Sequence, residues 1–335
     1  LTAIPVRRAE AAAEPRARRP LRWWVGTLAG FFLGAVLLAS VWAKVIDPAA
    51  FAEQIHAEGL DRLLPAGVMA LLALALEGGL GLALALGIRR PWVLVPALLL
   101  VAFFVGLTGR SYWLAAHGLT TGAASCGCFG NLVQRSPAQA FWQDALMLVP
   151  AALLAWSGRP RGGRSFPPVR TALVALFTAG VLLLAWKAPA LPLDDLATRL
   201  KPGVEIRSLC AGETVCLDAV APGLGRGEHL VVIADLDDPA FGREVAALNR
   251  YAGSPGAARL WVLTASDAAR QRAFFWRWGP AFQTVEVPPE LLRPLYRRLP
   301  RSFRVRDGRV TATFTGLPPE IQALRPPAGA AAGRG

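Results

Sequence analysis

Four cysteines occur in 335 residues, and they fall into two close pairs: Cys126 and Cys128, and Cys210 and Cys216. Thiols paired this closely can cycle between dithiol and disulfide, so the first chemistry they indicate is thiol-disulfide exchange. Only Gly127 separates Cys126 from Cys128, and a ring that small departs from the torsion and separation a disulfide prefers. Such strain makes a bond easier to reduce, which suits an oxidising equivalent that is handed on. Gly127 and Gly130 supply the backbone freedom a tight turn needs. The alternative for this pair is a static bond or two unreacted thiols.

Cys210 and Cys216 flank Ala211-Gly212-Glu213-Thr214-Val215, a polar turn running into a strand candidate. They read either as a local structural disulfide of an oxidising compartment or as a second redox pair that exchanges with Cys126 and Cys128. Neither pair has zinc-knuckle spacing. His56, His117 and His229 show no metal-binding spacing and read as loop or surface residues, so no metal site is expected.

The elements that must carry these thiols follow from composition. Apolar residues make up 54% of the chain and mean hydropathy is +0.39, too much aliphatic surface for a soluble core to hide. A net charge of +13 would point to nucleic acid in a soluble protein. Here the arginines sit beside apolar runs and serve as a topology signal, so the bilayer is the partner and nucleic acid is not.

Five runs, residues 23–43, 65–88, 92–112, 140–156 and 171–186, approach the roughly 20 residues a transmembrane helix needs. Arginines cluster before the first run (Arg7, Arg8, Arg16, Arg18, Arg19, Arg22), after the second (Arg89, Arg90) and between the fourth and fifth (Arg159, Arg161, Arg164, Arg170). With five spans all three clusters fall on one side, the cytoplasmic one by the positive-inside rule. The Cys126 loop and the C-terminal region then lie outside the cytoplasm of an inner or plasma membrane. Residues 1–21 read as a basic disordered tail, and a cleaved signal peptide is disfavoured by the length of the first run. The far end, residues 325–335, reads as a flexible tail.

Between residues 196 and 324 the pattern becomes globular. Strand candidates at 229–236 and 258–264 alternate with helix candidates at 242–252 and 266–278, the second capped by Ser266. A short helix at 289–298 precedes a hairpin signal, residues 302–306 and 309–314 about Asp307-Gly308. The order defines an α/β domain. With Leu299-Pro300 just before the hairpin it resembles a thioredoxin-like domain, and the resemblance implies a cis-proline at Pro300. The Cys-x-x-Cys of catalytic members is missing: after the first strand stands Asp237-Asp238-Pro239-Ala240-Phe241.

The membrane portion, residues 22–158, resembles the MauE branch of the DoxX-like membrane proteins. The resemblance rests on Lys44-Val45-Ile46-Asp47-Pro48-Ala49-Ala50-Phe51, Leu76-Glu77, Arg110 with Tyr112, and Cys126-Gly127-Cys128-Phe129-Gly130. It implies a four-helix unit that forms or maintains disulfides in extracytoplasmic partner proteins, with Cys126 and Cys128 as the reacting pair. By analogy with the vitamin K epoxide reductase family, a membrane quinone is the candidate terminal acceptor; no other cofactor is expected. Residues 159–188 add a cytoplasmic loop and the fifth span.

Glu77 lies about 12 residues into the second run, roughly 18 Å deep, where a carboxylate must be neutralised, paired or hydrated. Lys44 and Arg110 are its candidate partners, with Tyr112 and Asp144 at similar depth. The overall expectation is a membrane helical bundle followed by an α/β thioredoxin-like domain, acting as a thiol-disulfide oxidoreductase. The competing class is a non-enzymatic scaffold or chaperone whose cysteines are structural.

Overall fold

The computed structural model describes residues 20–62, 64–119, 135–160, 168–211 and 215–325. Cys126 and Cys128, and residues 1–19 and 326–335 of the terminal tails, lie outside the described residues; Leu21 already belongs to α1, and Arg325 pairs with Glu244. Among the described residues, five helices are long and apolar enough to cross a membrane: α1 (Leu21–Val45), α3 (Ala66–Ala85), α4 (Pro91–Ala116), α5 (Pro137–Ser157) and α6 (Pro168–Lys187). Between α1 and α3 lies a shorter helix, α2 (Pro48–Ala57). Its start is written in the sequence: Asp47 accepts from the Ala50 N–H at 3.1 Å, and Pro48 occupies the first turn, where no N–H is needed.

α1 is the centre of the bundle because it can be approached closely. A Cβ at Gly26 would stand 2.7 Å from the Gly158 Cα, and one at Gly34 would stand 2.7 Å from the Gly81 carbonyl. Backbones this close gain dispersion contacts that lipid tails cannot supply, the reason small residues mark helix crossings in membranes. Around them Leu33, Leu37, Leu84, Leu94 and Ala155 form a buried cluster. Arg89, buried between α3 and α4, donates to the Gly158 carbonyl at 2.8 Å and ties that connection to the end of α5. Within α5, residues Asp144–Leu148 form a π-helical turn, after a capping box in which Ser136 and Gln139 satisfy each other's backbone N–H.

The C-terminal domain holds a five-stranded sheet in the order β5-β4-β3-β6-β7: β3 (Glu228–Ile233), β4 (Arg259–Thr264), β5 (Gln283–Glu286), β6 (Arg301–Arg306) and β7 (Arg309–Thr315). β3, β4 and β5 are parallel; β6 and β7 run antiparallel. Helices α7 (Pro239–Ala252) and α8 (Ala268–Trp278) cross over between the parallel strands. Phe241, Val245 and Leu248 of α7 and Phe274 of α8 join Leu230 and Val232 in one buried layer. Val231, Ile233, Trp261, Phe303 and Leu217 belong to the opposite layer. Central strands covered on both faces need apolar residues throughout, hence the continuous runs in β3 and β4. The hairpin turns at Asp307 (φ 49°) and Gly308 (φ 74°), both left-handed as a two-residue loop requires. The Leu299–Pro300 peptide bond just before β6 is cis.

Three local expectations are corrected. The cap of α8 is Asp267, which accepts from the Arg270 N–H at 2.9 Å, while Ser266 is buried and receives the Thr264 hydroxyl. His229 is buried: its Nδ1 accepts from Trp261 Nε1 at 3.1 Å and its Nε2 donates to the Arg226 carbonyl. The two contacts fix the neutral tautomer protonated at Nε2. The helix expected over 289–298 is only one turn, Pro289–Leu292, continued by a 3-10 turn at Arg293–Leu295.

The domain packs onto the membrane unit through that segment. Arg293 Nη2 meets Glu53 Oε2 on α2 at 2.6 Å, and Arg297 donates to the Ala188 and Leu191 carbonyls beyond α6. Burial raises the Asp47 pKa, opposed by its Ala50 N–H bond and by the nearby Arg293 and Arg297. Arg301, almost fully buried, binds Asp194 at 3.1 Å and Asp195 at 2.9 Å, anchoring the segment that leaves α6 to the sheet.

Candidate functional site

A buried charge cluster sits where α1, α3 and α4 converge. Lys44 Nζ meets Glu77 Oε1 at 2.5 Å, both side chains 3% exposed or less, and Ser40 donates to Glu77 Oε2 at 2.8 Å. The faces of Phe51 and Phe104 lie 4.7 and 5.2 Å from the ammonium. Glu77 is thus paired and hydrogen-bonded on both oxygens, and Lys44 is enclosed by aromatic rings that attract a cation. Ser40 and Lys44 are four residues apart on α1 and therefore share one face.

The other intramembrane candidates lie elsewhere. Arg110 binds Glu58, just past α2, at 2.8 Å, and Tyr112 stacks on Phe141 of α5 with ring centroids 5.6 Å apart. Asp144 lies 3.5 Å from Arg135 in the π-helical turn. Of the residues at this depth, the structure joins Lys44 to Glu77 and leaves Arg110 and Tyr112 out of the pair. Sequence reasoning missed Ser40, whose signal was the i, i+4 spacing to Lys44, and Glu58.

Beside the pair opens a cavity of about 430 Å³, lined by α2, α3 and α4 as well as Lys44. Phe51, Gln54 and Ile55 of α2 roof it, while Leu72, Leu76, Leu99 and Phe103 line it and are exposed on the outer faces of α3 and α4. A second hollow, about 210 Å³, lies in the C-terminal domain between Pro300, Phe241, Gly316 and Gln322.

Cys210 and Cys216 form a disulfide that bridges the paired ends of two short strands, β1 (Cys210–Ala211) and β2 (Val215–Cys216). Both residues are partly exposed. Arg199 links them towards the membrane unit: its side chain donates to the Cys210 carbonyl at 2.9 Å and its backbone N–H to the Pro294 carbonyl, next to the Arg293 that binds α2. At the start of α7 there is no thiol. Asp238 accepts from the Ala240 N–H at 2.8 Å and Asp237 binds Arg270 at 3.0 Å.

Five apolar helices followed by an α/β domain define the class: a multi-pass membrane protein with a C-terminal globular domain. Residues 22–157 match the family model described as methylamine utilisation protein MauE; the match covers the membrane unit and less than half of the chain. The matched span contains Lys44, Glu77, Arg110, Tyr112, Cys126 and Cys128 and ends before α6. A search of curated proteins found no match.

Proposed function

We propose that the protein is a membrane-bound thiol-disulfide redox protein that forms or maintains disulfides in extracytoplasmic partner proteins, with Cys126 and Cys128 as the exchanging pair. The single observation that carries this reading is the match of residues 22–157 to the MauE family over a segment that contains two cysteines one residue apart. In the forward direction a partner's two thiols lose two protons and two electrons and become a disulfide, while the Cys126–Cys128 disulfide is reduced to two thiols. The partly exposed Cys210–Cys216 disulfide, tied through Arg199 and Pro294 to the segment that grips α2, is the candidate intermediate carrier. The C-terminal domain is read as thioredoxin-like from its strand order and from Pro300 ahead of β6. Without Cys-x-x-Cys it holds the partner and leaves the chemistry to the other cysteines.

The second reading is a scaffold whose cysteines are structural. The specific observation in its favour is the start of α7, where aspartates engaged in capping and ion pairing stand in place of reactive thiols. Differential alkylation of extracytoplasmic proteins separates the two. Cells carrying Cys126→Ser with Cys128→Ser should accumulate reduced thiols in a defined client set that the wild type keeps oxidised. Client thiols unchanged by the double substitution, but disturbed by removal of the C-terminal domain, would leave the scaffold in its place.

A further inference from the structure

We propose that the cavity floored by Lys44 and Glu77 binds the head of a membrane-dissolved quinone. Its volume of about 430 Å³ falls within the roughly 300–1,000 Å³ of small-molecule sites. Its walls are mostly apolar; the Lys44–Glu77 pair faces it, with Gln54, Glu58 (held by Arg110) and Thr108 as the other polar lining residues. Leu72, Leu76, Leu99 and Phe103 sit on spans long enough to cross a bilayer and are exposed on them, so the opening faces hydrocarbon. Whatever enters must therefore dissolve in lipid and present a small polar head.

The floor selects that head further. Lys44 and Glu77 already neutralise each other, so no net cation remains to draw in a phosphate or carboxylate. What remains is hydrogen-bond capacity: an ammonium carries three donors, and one is committed to Glu77. A neutral carbonyl is the acceptor that suits such a donor. Phe51 and Phe104 beside Lys44, with Phe103 at the mouth, offer ring faces and edges to a flat ring. At Pro96, another lining residue, α4 lacks the N–H that would continue its ladder.

Naming a quinone rather than another carbonyl-headed lipid rests on the thiol-redox reading; the cavity and its floor do not. A quinone that takes two electrons and two protons leaves as the quinol, balancing the oxidation of the reduced Cys126/Cys128 dithiol to its disulfide. Glu77 and Lys44 both line that cavity.

The test uses the full chain in phosphatidylcholine nanodiscs with a photoreactive azido analogue of decylubiquinone. Label should concentrate on the peptides carrying Leu72, Leu76 and Phe103, and excess decylubiquinone should remove it. Ala73→Phe, which fills the cavity from its wall, should cut the competed label at least tenfold. Leu183→Phe, on the exposed face of α6, should leave it unchanged. Lys44→Met should weaken binding, and Ala73→Phe keeps the test decisive where Lys44→Met fails to fold. Label spread over α1 and α6 without competition, or a phospholipid that decylubiquinone does not displace, overturns the proposal. Competed label in a protein whose thiols never exchange would keep the site and sink the redox reading. Thiol exchange with no competed label would do the reverse.

Discussion

Glu77 can remain in an apolar bundle because Lys44 and Ser40 satisfy both of its oxygens, and that arrangement fixes what substitution there should do. Removing one partner of a buried pair strands the other, at a cost of about 3–5 kcal/mol. Glu77→Gln and Lys44→Met should each destabilise the bundle by that order, while the double substitution should cost less than either alone. Thermal unfolding in detergent of the four proteins checks the cycle. A double variant as unstable as the sum of the singles would mean that the two side chains do not depend on each other. The two cysteine pairs make a second residue-scale contrast. A one-residue spacer constrains a disulfide more than the five residues between Cys210 and Cys216, so the Cys126/Cys128 pair should be reduced first across a series of redox buffers. Mass spectrometry of the alkylated thiols gives the order; finding Cys126 and Cys128 still bonded when Cys210 and Cys216 are reduced would reverse the relay. Sequence pointed to Glu77 because a carboxylate in an apolar run demands a partner. It offered both Lys44 and Arg110, since either could lie at similar depth. Only the crossing of α1 over α3 decides between them, and Glu58 then takes Arg110.

Among the elements, α2 has the widest consequences. Its Phe51, Gln54 and Ile55 roof the cavity, and its Glu53 binds Arg293 of the C-terminal domain. The Glu53–Arg293 pair is largely solvent-exposed on the Glu53 side, so Arg293→Ala should cost only about 0.2–1 kcal/mol. Faster proteolytic release of the domain, with the bundle intact, is its expected signature. Asp47, the cap of α2, binds its proton more tightly folded than unfolded because burial raises its pKa. Its contribution to stability is therefore full below the unfolded carboxylate value and is lost as pH rises through the raised folded value. Unfolding midpoints measured against pH should fall more steeply over that window in the wild type than in Asp47→Asn; parallel curves would contradict the assignment. The five spans were legible because each is an apolar run bounded by Arg, Trp or Pro. The hairpin was legible because Asp307-Gly308 has one low-cost conformation. α2 escaped as an element because ten residues of mixed character carry no strong period, although Asp47-Pro48 spells its cap. β5 escaped because four residues at a sheet edge, partly exposed, need no apolar run. His229 read as a loop or surface residue, and what the sequence did not show is its hydrogen bond to Trp261 in the neighbouring strand.

On the scale of the whole molecule, a membrane unit that matches the MauE family model is joined to an α/β domain gripped through Arg293, Arg297 and Arg301. Three arginine clusters put the connections before α1, between α3 and α4, and between α5 and α6 on one side of the membrane. Cysteines introduced as Arg161→Cys and Ser254→Cys, in a background lacking the native four, should therefore react differently with an impermeant maleimide in intact cells. Ser254→Cys should label and Arg161→Cys should not; the opposite pattern would turn the protein over and place Cys210 and Cys216 in a reducing compartment. The most direct measurement of the central claim is mixed-disulfide trapping with the full chain in its native membrane, using Cys126→Ser and Cys128→Ser separately and together. One single variant should hold a partner, or the Cys210/Cys216 pair of its own chain, in an adduct that reductant releases and the double variant never forms. No adduct from either single variant, with client thiols oxidised as in the wild type, would contradict the account and leave Cys126 and Cys128 without a role in exchange.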